Sequence, residues 1–393
     1  MTQIILDNEI NADPSLLDRA WGSVETFALV PEKSGSSLAW VGAALAKIPA
    51  SHRVGHFVLL TSGSTGTPKL IIGRRERSEQ LARVLHEVQK GEPVAETIVA
   101  LPLTYSYAFV NQWLWSHIHG RKLTVTPGFR QADVLKQALQ RAGDAMLCLV
   151  GIQVPLLEQN FGGDEFPGVI RVHFAGGRFP EEQLPIVRGI FPNAKIFNNY
   201  GCAEALPRLT FRAAEDAAEA ANIGRPLAGV CLQTSDSGEI VFRSPYGAVG
   251  IVDEQGFHEI SPEKWVGTGD MGCAGDDGMW RLTGRASEVF KRYGEKISLP
   301  RLLTTVLKNW DAQAAFYREA DVRGEEGHVL VLAPHPGEPQ VRTILKAFAA
   351  EYGRAHWPLR VESIAEMPLL SNGKVDSKGL AQLNDKQQHW HQR

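Results

Sequence analysis

A chain of 393 residues, 44% hydrophobic and 22% charged, has the make-up of a globular enzyme with more than one domain. Its formal net charge of -3 lacks the basic footprint of a nucleic-acid binder, and no apolar run reaches the length of a membrane span. The start Met1-Thr2-Gln3-Ile4-Ile5-Leu6-Asp7 has no charged-then-apolar leader pattern, so a soluble, cytoplasmic protein is expected, with no membrane and no nucleic acid among its partners.

Residues 1–50 carry a mixed pattern, with one short helix expected over 40–48. The apolar run Phe57-Val58-Leu59-Leu60 then leads into Thr61-Ser62-Gly63-Ser64-Thr65-Gly66-Thr67-Pro68-Lys69. Glycines there let backbone N–H groups turn toward one point, hydroxyls add donors and Lys69 adds a positive charge, which together suit a phosphate. A Walker-type loop needs a Gly-Lys pair followed directly by a helix. Here Pro68 leads instead into Leu70-Ile71-Ile72, a second strand. The element therefore reads as strand–loop–strand, either a phosphate cradle or a plain hairpin.

Leu81, Val84, Leu85 and Val88 recur at helical spacing between residues 78 and 90. A strand over 97–101 delivers the aromatic segment Tyr105-Ser106-Tyr107-Ala108-Phe109, and a helix runs on through Trp113 and Trp115. The two tryptophans read as core, whereas Tyr105 and Phe109 read as the wall of a pocket. No Asp or Glu occurs from Leu101 to Ile118. A buried ammonium group needs a carboxylate partner, so a substrate bound there is expected to lack an α-amine.

Strands at 122–126, 145–150 and 169–174 alternate with helices at 131–141 and 181–191, the signature of helix-flanked sheets. Ligands in such folds gather at the carboxyl ends of strands, where Gly176, Gly177, Tyr200 and Gly201 fall. Short strands over 222–242 suggest a small β-rich part. Beyond it come Gly267-Thr268-Gly269-Asp270 and Thr283-Gly284-Arg285. A small α+β region follows: the run 291–297, helices over 300–309 and 340–352, and strands over 314–317 and 328–332. Ser371-Asn372-Gly373-Lys374 presents a lysine at a turn. The tail His389-Trp390-His391 reads as a frayed terminus rather than a metal site. Cys148, Cys202, Cys231 and Cys273 are too widely spaced for a zinc set or a disulfide framework.

The hydroxyl-rich loop, Asn199-Tyr200-Gly201-Cys202-Ala203-Glu204, Thr268-Gly269-Asp270, Gly284-Arg285, the Lys291 to Ile297 run and Gly373-Lys374 occur in a fixed order. That series resembles the adenylate-forming superfamily: acyl- and aryl-CoA synthetases, peptide-synthetase adenylation domains and luciferases. The resemblance implies an α/β fold, with a large N-terminal domain over 1–285 of helix-flanked sheets and a small β-rich subdomain. A small, mobile α+β C-terminal domain over 286–393 would carry the catalytic lysine.

The implied reaction activates a small carboxylic acid with ATP to an acyl-adenylate, with release of pyrophosphate. The acyl group then passes to a thiol of coenzyme A or of a carrier protein's phosphopantetheine. Transfer to an amine, arrest at the adenylate, or a catalytically weak scaffold protein are the alternatives. By resemblance, Thr61, Ser62, Gly63, Ser64, Thr65, Gly66 and Lys69 hold phosphates, and Glu204 holds Mg2+. Gly176, Gly177, Asn199, Tyr200 and Gly201 border the nucleotide, with Asp270, Arg285 and Lys291 on its ribose and phosphate side. Lys374, Glu204 and Arg285 are the catalytic set, Ser287 the hinge and Gly294 the thiol channel. Tyr105, Phe109, Val150, Gly151, Phe174, Cys202 and Leu206 form an apolar pocket for an aromatic or medium-length acid. Ala203 stands where the family usually has threonine, and the stretch before the loop is shorter than usual, which leaves room for a partner chain such as a second copy.

Overall fold

The computed structural model of the chain describes residues 2–32, 36–61, 68–177, 179–216, 221–368 and 375–392. From the amino end, β1 (Gln3–Leu6), β2 (Phe27–Val30), β3 (His56–Thr61) and β4 (Lys69–Arg74) lie side by side; β1 to β3 are parallel and β3 and β4 antiparallel. Phe57 and Leu59 face one core cluster, and Val58 and Leu60 face another. This is the period-two alternation of a strand buried on both faces. Ile71 of β4 joins the first cluster, and Leu70 and Ile72 the second.

The helix Leu38–Ala46 covers one face through Val41, Ala44 and Leu45, and its first turn is capped by the Ser37 hydroxyl, which accepts from the Trp40 N–H at 3.1 Å. The helix Arg75–Val88 covers the other through Leu81 and Leu85. It starts three residues before the apolar stripe predicts. The strands β1 and β2 were not expected at all: each is only four residues long, too short for alternation to declare itself.

Five parallel strands found the second sheet: β5 (Glu96–Val99), β6 (Lys122–Val125), β7 (Ala145–Leu149), β8 (Val169–Phe174) and β9 (Lys195–Tyr200), in the order β9-β8-β7-β5-β6. Helices Ala132–Gln140, Val154–Phe161 and Leu184–Ile190 press Leu135, Leu157, Phe161 and Val187 against Leu147, Leu149, Val172 and Ile196. Burying each such side chain stabilises the fold by about 1.5–3 kcal/mol. The antiparallel strands β10 (Thr210–Ala213), β11 (Asn222–Pro226), β12 (Cys231–Thr234) and β13 (Glu239–Arg243) extend this sheet. The strands β14 (Gly250–Val252) and β15 (Phe257–Glu259) return to the first sheet beside β4, and β16 (Val266–Ala274) and β17 (Trp280–Arg285) rejoin the second.

The aromatic segment after β5 departs from the expected regular helix. Between the helical turns Ser106–Ala108 and Trp115–His119, residues Phe109–Leu114 form a π-helical stretch. Such widened turns redirect the side chains that follow them.

The chain divides into two compact units: Met1–Thr268 with Gly272–Leu282, and Gly269–Met271 with Thr283–Arg393. The second begins with the hairpin β18 (Val289–Arg292) and β19 (Glu295–Ser298). A four-stranded sheet follows: β20 (Gln313–Ala320), β21 (Glu326–Ala333), β22 (Arg360–Ser363) and β23 (Gln387–His391). Helices Leu299–Leu307 and Glu338–Glu351 bury Leu302, Val306, Ile344 and Phe348 against Leu330, Leu332 and Val361 of this sheet. The tail is thus not frayed. Its polar residues form β23, with the His389 ring 2.7 Å from the Ser363 hydroxyl and Trp390 packed on Trp357. Among the described residues, no helix is long and apolar enough to cross a membrane.

Candidate active site

Thr61 ends β3 and Lys69 begins β4, and the two are direct partners in the antiparallel ladder. The two ends of the hydroxyl-rich segment are therefore held side by side. Ser62, Gly63, Ser64, Thr65 and Gly66 lie outside the described residues, as does Lys374.

Glu204 sits on the short 3-10 turn Ala203–Ala205 that follows β9. Its carbonyl accepts from the Ala248 N–H at 2.9 Å, and the next residue, Val249, donates to Ile72 of β4 at 2.9 Å. This backbone chain fixes the glutamate relative to the loop hairpin. The Glu204 carboxylate has no hydrogen-bond or ion-pair partner among the described residues, and the residue lines a small cleft together with Arg77, Arg243 and Lys264. Burial and the neighbouring Arg74 lower the pKa of Arg77, and Arg243 lies 4.3 Å over the Trp265 ring. A carboxylate left without a partner is a hard oxygen donor of the kind a divalent ion takes.

The expected glycines stand at the carboxyl ends of β8 and β9. Gly176 has φ +77, a conformation that favours glycine, and Gly177 has open space where a side chain would stand. A Cβ at Gly201 would lie 1.8 Å from the Pro207 carbonyl oxygen, so the loop from 201 to 208 doubles back tightly upon itself. Leu206 accepts φ +49 in that turn.

The structure places the expected acid-pocket residues unevenly. Tyr105, Val150, Gly151 and Cys202 are half-buried near those strand ends. Phe109 is fully buried in the aromatic core, stacked on Trp113 at 4.9 Å and packed against Phe57, Trp21 and Phe27. Phe174 packs edge-on against Phe179, and Leu206 is also in the core. Trp113 and Trp115 are buried as core residues. All four cysteines are free thiols.

What the sequence reading missed is a buried polar cluster at the same strand ends. The Asn199 amide donates toward the Tyr107 hydroxyl at 3.4 Å and to His173 Nδ1 at 3.2 Å. Arg208, only 1% exposed, donates to Asn111 Oδ1 at 2.6 Å. Tyr107 and the buried Cys148 thiol are neighbours. Burial raises the tyrosine far above its usual range and pushes the thiol up to about 12, so both stay neutral. Burial, with Arg208 and Arg171 nearby, holds His173 far below the usual imidazole range. Arg208 itself drops to about 10 through burial and remains charged at neutral pH. Its place in the sequence, a lone cation between Leu206 and Leu209 just after the glycine-containing motif, was the available signal.

In the second unit, Arg285 Nε lies 3.1 Å from Asp270 Oδ1, and Asp270 is buried. Residues Ala286–Glu288, which include Ser287, form a 3-10 turn. Lys291 is exposed on β18. Tyr293 and Gly294 connect β18 to β19 with φ +50 and +83, so the tight turn itself demands glycine at 294.

The AMP-binding enzyme profile matches residues 23–251, more than half of the chain. The protein belongs to the AMP-binding enzyme family. Among its relatives, the non-ribosomal peptide synthetase CmlP of Streptomyces venezuelae is 25% identical over 350 residues, which cover 85% of this chain and 35% of CmlP. The chain thus spans about a third of that protein's length. The 2-succinylbenzoate–CoA ligase of Oceanobacillus iheyensis is 24% identical over 341 residues, covering 81% of this chain and 68% of the ligase. The fold matches that of O-succinylbenzoate coenzyme A synthetase from Bacillus subtilis in complex with AMP, with TM-score 0.71 and 18% identity over 99% of this AMP-binding chain and 84% of that one. The same synthetase with ATP and a magnesium ion aligns with TM-score 0.66 and 20% identity, over 83% and 69%. The chain thus has the mixed α/β fold of that synthetase.

Proposed function

We propose that this protein activates a carboxylic acid with Mg·ATP and passes the acyl group to a thiol. One observation carries the reading: Glu204, whose carboxylate has no partner among the described residues, stands just after β9 and is tied through Ala248 and Val249 to β4, the strand that Lys69 begins. In the first half-reaction an oxygen of the substrate carboxylate bonds to the α-phosphorus, the bond to the bridging oxygen breaks and pyrophosphate leaves. The loop over 61–69 holds the outer phosphates, Asp270 the ribose hydroxyls, and Arg285 the ribose and phosphate oxygens. Lys374 bridges acid and α-phosphate. Glu204 would hold a magnesium ion, which when bound would neutralise charge on the phosphates. Orientation and electrostatics account for most of the rate enhancement in such a step.

In the second half-reaction a thiol of coenzyme A or of a carrier-protein phosphopantetheine bonds to the acyl carbon and AMP leaves. A turn of the second unit about Ser287, bringing the Gly294 hairpin to the adenylate, is part of this reading. The names of two relatives, a 2-succinylbenzoate–CoA ligase and a D-alanine–D-alanyl carrier protein ligase, support both kinds of acceptor. The acid is an aromatic or medium-length one without an α-amine. An ammonium group would meet the Arg208 charge with no carboxylate beside it among the described residues.

Acid-dependent exchange of labelled pyrophosphate into ATP tests the activation step. Exchange with some member of an acid panel is the expected result, and none with any acid or amino acid would refute it. Ala203, lacking the family's usual hydroxyl, favours a slow enzyme or a binding protein as the second reading, and the same experiment separates them.

A further inference from the structure

The polar cluster behind the strand ends is unbalanced in a definite sense. Among the described residues, Arg208 uses Nη1 on Asn111, while Nε and Nη2, both shielded from solvent, have no partner. With the Asn199 amide donating to Nδ1, the His173 ring carries its proton on Nε2, and that atom is also buried without a partner. Three donors are thus left over at one place, two of them on one fixed positive charge, against a single leftover acceptor, Asn199 Oδ1. No carboxylate stands among the groups that act on Arg208; Tyr107 and Cys148 do, and both are neutral. Leaving a buried charge unpaired is costly, and buried donors in folded proteins are almost always satisfied. Among the described residues no counter-charge meets Arg208.

The position bears on what could supply one. Tyr107 and Asn111 lie on the aromatic segment, Cys148 near the end of β7, His173 near the end of β8 and Asn199 near the end of β9. Arg208 is brought back to Asn199 and His173 by the doubled loop that also carries Glu204. This is where a helix-flanked parallel sheet binds its ligand. Resting on the acid-activation reading, we propose that Arg208, with His173 and Asn199, forms a subsite for a second carboxylate, so that the acid activated is a dicarboxylic acid. One carboxylate reacts with ATP while the other stays ionised against the guanidinium. A hydrocarbon acid of the same length would leave the buried donors unpaired, which discriminates far more strongly than a missing methylene does.

Matched acids read this directly: glutarate against pentanoate, and terephthalate against 4-methylbenzoate. In pyrophosphate exchange the diacid of at least one pair should show the higher kcat/KM, and Arg208→Met should cut the diacid-to-monoacid ratio by roughly a hundredfold. Arg208→Lys should restore part of that ratio and guards against a folding defect in the methionine variant. Quenching of tryptophan fluorescence by the same acids, without ATP, measures binding alone. Diacid binding that Arg208→Met abolishes, with no exchange by any acid, would uphold the subsite and sink the activation reading. Exchange with monoacids as efficient as with diacids, and a ratio that Arg208→Met leaves unmoved, would overturn the subsite and leave activation standing. Ordered water alone satisfying the donors would give that second outcome.

Discussion

The Ala248 N–H donates to the Glu204 carbonyl at 2.9 Å, which holds the acidic turn against the strand that begins with Lys69. The backbone of Glu204 is fixed by this bond while its carboxylate stays uncommitted among the described residues. Glu204→Gln is therefore expected to reduce magnesium-dependent exchange by about 10²–10³-fold, the usual cost of losing one preorganised charge-stabilising group. Its melting temperature should match wild type. A large drop in melting temperature would reassign the glutamate to a structural role.

Asp270 and Arg285 form an ion pair at 3.1 Å within the second unit. Asp270→Ala should raise KM for ATP by about 10- to 100-fold through lost charge-assisted hydrogen bonds to ribose. Steady-state kinetics with ATP varied, at saturating acid, would show this; an unchanged KM would remove Asp270 from the nucleotide site.

Lys374 lies outside the described residues, and its role rests on its motif. Lys374→Ala should abolish acid-dependent exchange while largely sparing thioester formation from a supplied acyl-adenylate. Equal loss in both assays would count against two half-reactions served by different groups of the second unit.

Phe109 was expected in the substrate pocket, yet it is buried among Trp113, Phe57 and Trp21. Phe109→Ala should destabilise the protein by about 3–5 kcal/mol, as large-to-small changes in packed cores do. Urea unfolding measures it. An unaltered midpoint with lost acid binding would return Phe109 to the pocket.

His328 is fully buried beside Phe316 and Phe290, and burial, with Arg292 nearby, lowers its pKa from 6.5 to about 3. A depressed pKa means the unfolded chain binds the proton that the folded chain refuses. The stability involved is fully present above pH 6.5 and lost as pH falls toward 3. Between pH 7 and pH 5 the loss amounts to about 2 kcal/mol. His328→Phe should remove that share of the acid sensitivity, seen by comparing urea midpoints at the two pH values.

Much of the fold was legible because its central strands are continuous apolar runs: residues 169–174 were expected as a strand and are one. The β3–β4 pairing was legible because no Gly-Lys pair opens a helix and the apolar run Leu70-Ile71-Ile72 reads as a second strand. The strand Gln387–His391 was not, since a polar five-residue tail becomes a strand only when Arg360–Ser363 offers it an edge. The same holds for the site. Glu204 and Asp270 stand in short motifs that can be read along the chain. Tyr107, His173 and Arg208 are about a hundred residues apart from first to last and acquire meaning only once the parallel strands bring them together. No spacing rule marks a cation whose partner is missing.

Gly201 has no room for even one added carbon, because the Pro207 carbonyl occupies that space. If the proposed acid site is to be retuned, the backbone around Gly201 should be left alone and the side chains of Tyr107, Asn111 and Arg208 randomised. A library at position 201 would mostly return misfolded protein, whereas one at those three side chains would return new selectivities.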